Sequence, residues 1–211
     1  MSIANLQKFQ FNETSIYLED FEHGKGKIII TNPLQGSYSY IWGSMGSSLS
    51  DFLLEINSDY FAKNLCPNPY CFDAKASVTN LRKYIRNDLN YDLPWYQYMS
   101  AQKEMRQHIK QLELCSEQWE FVDRMMSLPN HLLCLDLNKR EEIDFRSIIE
   151  DLFRNEPWNF IAQKHSSNYL WLYELHGKIK KKLQNNKNCT IPIVEFKGKI
   201  CVKCGKHVNE H

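Results

Sequence analysis

The sequence predicts an α+β protein: an N-terminal antiparallel β-meander packed on a long amphipathic helix, then a mostly helical body and a C-terminal β-hairpin. Three observations carry this. Apolar and polar residues alternate in four short runs before residue 43. At Ser48 the apolar spacing changes to the 3.6-residue period of a helix, which governs most of the remaining chain. β-rich runs return over 191–195 and 199–202, with Phe196-Lys197-Gly198 expected as the hairpin turn between them.

The first run, residues 6–11, puts Phe9 and Phe11 on one face. The second, TSIYLED, contains Ile16 and Leu18. The third, KGKIIIT, is β-branched and is broken by Asn32-Pro33, as a turn requires. In the fourth, Tyr38, Tyr40 and Trp42 face one way and Ser37, Ser39 and Ile41 the other. Four strands this closely spaced pair most simply as a meander.

Leu49, Phe52, Leu53, Ile56, Tyr60 and Phe61 then define one long helical stripe. Ser48 or Ser50 suits its N-cap, and Asp51 and Glu55 place negative charge near its positive end. Further helices are expected over 74–89 (Val78, Leu81, Ile85, Leu89) and over 95–114, after Asp92 and Pro94. Another starts at Ser116, carries Trp119, Val122, Met125 and Met126, and is stopped by Pro129-Asn130. Two more are expected over 140–154 and 169–183. The Lys/Asn stretch near residues 180–188 marks a boundary. It separates a main domain over 1–185 (sheet 1–43, helical body 48–184) from a tail over 189–211.

Composition narrows the function classes. Hydrophobic residues make up 43% and aromatics 13%, enough for a real core. With 26 Lys+Arg against 25 Asp+Glu the formal charge is +1, without the basic excess of a strongly electrostatic nucleic-acid binder. No apolar run approaches the roughly 18 residues that span a bilayer, so no membrane is expected as a partner. The first residues, MSIANLQKFQF, lack the charged-then-apolar pattern of a secretion signal, so a cytoplasmic protein is expected. Seven cysteines, an odd number, fit reduced thiols or metal ligands better than a disulfide framework.

The metal candidate is Cys201-x-x-Cys204-Gly205 at the end of the hairpin. Two thiolates there can converge on zinc, with His207 and His211 completing four ligands. Cys189, or the Cys66/Cys71 pair, could supply the remaining ligands instead, and ordinary reduced cysteines are the bland alternative. The turn from Gly43 to Ser48, at a helix N-terminus, has the shape of an anion site but lacks Gly-Lys-Ser/Thr, and a capped strand-to-helix turn is the commoner cause. Asp136, Glu141, Glu142 and Asp144 could hold Mg²⁺ in a small nuclease site, but Lys139 and Arg140 beside them favour an ion-paired helix start. The histidines are scattered and form no local catalytic signature. Tyr38, Tyr40, Trp95, Tyr96 and Tyr98 could contact a partner or stack on bases, and core packing explains the same residues. Lys180, Lys181 and Lys182 could contact phosphate, or simply complement a helix C-terminus.

The pattern Gly36-x-Tyr38-x-Tyr40-x-Trp42-Gly43-x-Met45-Gly46-x-x-Leu49-x-x-Phe52-Leu53, followed by Asp59-Tyr60-Phe61, resembles a motif in small phage- and prophage-encoded proteins. It covers about thirty residues and describes a sheet-to-helix junction, so it marks a fold rather than a site. The resemblance implies a mobile-element origin and, by analogy, a non-enzymatic protein that binds and inhibits a bacterial defence complex inside the host cell, such as an anti-CRISPR. Its partner would be a host protein or a ribonucleoprotein, with RNA contact possible. A zinc-containing nucleic-acid-binding protein is the alternative.

Overall fold

The computed structural model describes residues 5–88, 99–132, 157–187, 196–197 and 200–201. In chain order the elements are β1 (Asn5–Phe11), β2 (Thr14–Glu22), β3 (Lys25–Asn32), β4 (Gly36–Trp42), α1 (Leu49–Glu55), α2 (Ser58–Leu65), β5 (Tyr70–Phe72), α3 (Ala74–Asp88), α4 (Met99–Gln111), α5 (Gln118–Leu132), β6 (Gln163–His165), α6 (Ser167–Lys187), β7 (Phe196–Lys197) and β8 (Ile200–Cys201). Short 3-10 turns occupy Leu112–Leu114 and Pro157–Phe160. The α+β class stands as expected. The chain forms two compact units, Met1–Pro69 with His165–His211, and Tyr70–Lys164.

The first unit is built on the meander, whose strands lie in the order β1-β2-β3-β4, all antiparallel. Its turns use residues that accept a positive φ: Asn12 (50°), Gly24 (75°) and Gly36 (91°). The Asn32 side chain accepts from the amides of Leu34 (2.9 Å) and Gln35 (2.8 Å), which tightens the turn into β4. Alternation puts Phe9, Ile16, Leu18, Ile28, Ile30, Tyr38 and Trp42 in the core with Leu49, Leu53, Phe61 and the inner face of α6. Fully burying one such aliphatic side chain stabilises the fold by roughly 1.5–3 kcal/mol. Gly26 sets how closely α1 approaches β3. A Cβ there would lie 3.0 Å from the Glu19 carbonyl and 3.1 Å from the Leu49 side chain.

The single helix expected from Ser48 is two. α1 ends at Glu55, and Asn57 starts α2 by accepting from the Tyr60 amide at 2.7 Å. An Asx cap competes with helix continuation, and here it wins: Leu49, Leu53 and Phe61 stay in the core, whereas Tyr60, expected on the same stripe, is 42% exposed. Ser48 is the N-cap of α1, accepting from the Asp51 amide at 3.2 Å.

The second unit has its own core of Val78, Leu81, Met105, Ile109, Leu112, Cys115, Phe121, Met125 and Phe160. Asp73 caps α3 by accepting from the Ala76 amide at 3.1 Å, and its own amide donates to the Ala162 carbonyl at 2.9 Å. Buried Ser77 continues this tie, donating to the Asp73 carbonyl (2.8 Å) and accepting from the Ala162 amide (2.8 Å). Helix α5 runs through Pro129 to Leu132, so the expected stop at Pro129 is corrected. Pro129 has no amide to donate to the Met125 carbonyl, and the helix nevertheless continues one further turn past it. The helix expected over 140–154 lies outside the described residues.

β7 and β8 pair antiparallel, with Phe196 opposite Cys201 and Lys197 opposite Ile200. Phe196 and Lys197, expected in the turn, are therefore in a strand.

Candidate functional site

Helix α6 and the Ser166 that precedes it make a series of polar contacts to α1, α2 and the segment before β5. The start of α6 is pinned. Ser166 accepts from the Tyr169 amide through its hydroxyl (3.3 Å) and donates from it to the Asn68 carbonyl (3.0 Å). Its amide donates to the Pro69 carbonyl at 2.9 Å. Tyr169, itself buried, donates its hydroxyl to Asp59 at 2.5 Å, and Lys63 pairs with the same carboxylate at 2.9 Å. These two contacts, the tyrosine first, hold the Asp59 carboxyl below the usual carboxylate range.

About two turns further on, His176 is fully buried. Its Nε2 lies 2.9 Å from the Leu53 carbonyl and its Nδ1 lies 3.0 Å from the Ser58 hydroxyl. A carbonyl only accepts, so Nε2 carries the proton and Nδ1 accepts from Ser58. A serine hydroxyl on an imidazole is half of a nucleophile-activating pair. Here it does not act as one. Burial pushes the His176 pKa down to about 4, too weak a base to take the proton of an alcohol near neutrality. The ring is also stacked on Phe61, with centroids 4.4 Å apart and planes at 15°. The pair closes α6 onto α1 and α2. Sequence reasoning missed it because its partners are 118 positions apart and no local pattern links them.

The Gly43–Ser48 turn is a capped junction. The Leu49 amide at the N-terminus of α1 donates to the Asp20 carboxylate at 2.8 Å, so the protein supplies its own anion there. The Met45 amide donates to the Gly24 carbonyl at 2.8 Å. At the other end of α6, Lys187 pairs with Asp51, whose carboxyl this contact and then Ser48 hold below the usual range. Beside the pair is an open cleft of about 220 Å³ lined by Gln7, Ser48, Ser50, Asp51, Leu183, Asn186 and Lys187.

Tyr38 is buried, donates its hydroxyl to the Gln35 carbonyl at 2.7 Å, and packs 5.8 Å from the Trp171 ring. Tyr40 is half-buried against Trp42, with centroids 4.9 Å apart. Their rings are committed to the core. On α6, Lys181 is exposed and Lys180 and Lys182 are half-buried. The exposed aromatics of the second unit include Trp119, Trp158 and Tyr70, 68%, 56% and 46% exposed. Cys201 sits in β8. Cys204, His207 and His211, the aromatics Trp95, Tyr96 and Tyr98, and the acidic set Asp136, Glu141, Glu142 and Asp144 lie outside the described residues. Among the described residues no group of three or more His, Cys, Asp and Glu side chains is placed to hold a metal, and no helix is long and apolar enough to cross a membrane. Cys66 and Cys115 are buried thiols and Cys71 is exposed.

No curated protein and no solved structure matches the chain. A family profile does. It covers residues 2–185, from β1 into the last turn of α6, and its description is a Phage family, Phage_phiTE_072. With most of its length matched, the chain belongs to this phage family.

Proposed function

We propose that this phage-family protein acts without catalysis, by binding a host protein complex and blocking it. The target we infer is a bacterial defence assembly, as for an anti-CRISPR. The observation that carries the reading is the solvent-facing pair Trp119 and Trp158, 68% and 56% exposed. Large exposed aromatics are costly to leave in water and are enriched where binding energy concentrates. Trp95, Tyr96 and Tyr98 are proposed as part of the same contact chemistry. The best-formed serine–histidine pair among the described residues is sealed and weakly basic, which favours binding over turnover.

The test is co-purification of the tagged full-length protein from hosts that carry defence systems. A stoichiometric host complex is expected. Trp119→Ala combined with Trp158→Ala should weaken it at least about tenfold, a loss typical of aromatic hot spots. No stable partner in any such host overturns the reading.

A second reading is favoured by one observation: Cys201 lies on the second arm of a hairpin, opposite Phe196, where a CxxC turn can follow. We propose zinc held by Cys201, Cys204, His207 and His211, serving a nucleic-acid-binding role. Elemental analysis of the purified protein should then find about one zinc per chain, lost in a Cys201→Ser, Cys204→Ser variant. Metal-free protein overturns it.

A further inference from the structure

We propose that the outer face of α6 is a binding strip for single-stranded nucleic acid, built from a stacking tyrosine, a glycine notch and a pair of lysines. Helical residues three, four and seven apart share a face. By that rule Leu170, Tyr173, Glu174, Gly177, Lys178 and Lys181 lie together, opposite the buried Leu172, Leu175, His176 and Ile179. Leu170 and Tyr173 are 50% and 47% exposed. Lys178 and Lys181 are exposed and make no ion pair among the described residues, and Glu174 is the one acid on the face.

Gly177 is what singles this face out. It sits in the middle of a 21-residue helix, where glycine weakens the helix relative to alanine. The usual inward reason for a helical glycine is close packing. Among the described residues a Cβ here would meet nothing within 4 Å, so the described packing does not need the gap. An outward use fits this. Bare backbone between Tyr173 and Lys181 lets a flat group lie directly against the helix.

A single strand fits this chemistry. Every base offers a π-face to a tyrosine ring, and each phosphate accepts from a lysine. Tyr173 is backed by Tyr169 at 6.4 Å, which in turn stacks on His165 at 4.1 Å. From Tyr173 to Lys181 the helix rises about 12 Å, room for three to four stacked nucleotides at about 3.4 Å each. Half-buried Lys180 and Lys182 add positive potential at the edges. The inference goes beyond the host-complex reading and needs no zinc.

The test is fluorescence anisotropy on the full-length protein. The probes are labelled oligouridylate and oligodeoxythymidylate of about 15 nucleotides, with a duplex of the same length as control. Saturable single-strand binding is expected, falling steeply between about 50 and 200 mM salt. Which strand binds tighter separates RNA from DNA as the ligand. Lys178→Glu with Lys181→Glu should weaken binding roughly tenfold or more. Tyr173→Ala should weaken it roughly 5- to 100-fold. Gly177→Ala should raise the thermal midpoint and yet weaken binding, a combination a purely structural glycine does not give. The proposal is overturned by no single-strand binding at low salt, by preference for the duplex, or by unchanged affinity in all three variants.

Discussion

The two units solve the same problem by different routes. The first joins a local meander to a helix that returns about a hundred residues later and adds Tyr169, Leu172, Leu175, Ile179 and Leu183 to its core. The second is continuous in sequence and packs helices α3 to α5 with two 3-10 turns. A unit whose core closes late depends on one distant element, whereas a continuous unit spreads its risk over local contacts.

Removing α6 is the strongest way to test that contrast. It contributes buried Tyr169, Leu172, Leu175, His176, Ile179 and Leu183. At roughly 1.5–3 kcal/mol per side chain this approaches or exceeds the whole stability of a typical domain, roughly 5–15 kcal/mol. A chain ended after Lys164 should lose hydrogen-exchange protection in β1 to β4 and keep it in α3 to α5. Continued protection of the meander would break the comparison. Phe121→Ala is the mirror experiment. It empties the centre of the second core, should cost about 3–5 kcal/mol, and should leave the meander's protection unchanged.

Acid should act on the first unit through His176. Its folded pKa, about 4, lies below the reference value of 6.5, so the unfolded chain binds the proton first as pH falls. The stability from neutral His176 is full above about 6.5 and is lost as pH falls toward about 4, an effect of about 3 kcal/mol. Urea midpoints taken at about pH 7.5 and 4.5 should show the loss, and His176→Phe should flatten it. An equal slope in that variant would move the effect to other groups. Asn57→Ala removes the cap that divides α1 from α2 and should cost about 1 kcal/mol, read from the same midpoints. Gly177→Ala is the smallest effect and has the opposite sign, a gain of about 0.5–1 kcal/mol.

Much of the fold was legible because alternation and helical spacing are local. Ile28, Ile30 and Leu18 announce their strands by themselves, and the stripe of α6 reads cleanly from Leu172 to Leu183. The break at Asn57 was hidden because both sides of it present the same apolar face, so periodicity passes through the cap unchanged. Tyr38, Tyr40 and Trp42 were placed correctly on one side of their strand. Which side met the core depended on α6, far along the chain. The lysine run was visible as charge. Helical rotation then hands the outward positions to Lys178 and Lys181 and turns Lys180 and Lys182 partly inward. Ser58 with His176, and Leu49 with Asp20, are pairs that only tertiary structure assembles.

The hydrogen bonds from Ser166 to the Asn68 and Pro69 carbonyls have a consequence for engineering. They bring together the two points where the chain leaves the first unit and re-enters it. A short turn between Pro69 and His165 would therefore keep the host fold connected. The intervening stretch behaves as cargo spliced into a permanent frame. A graft of a foreign domain at the same junction should leave the frame folded.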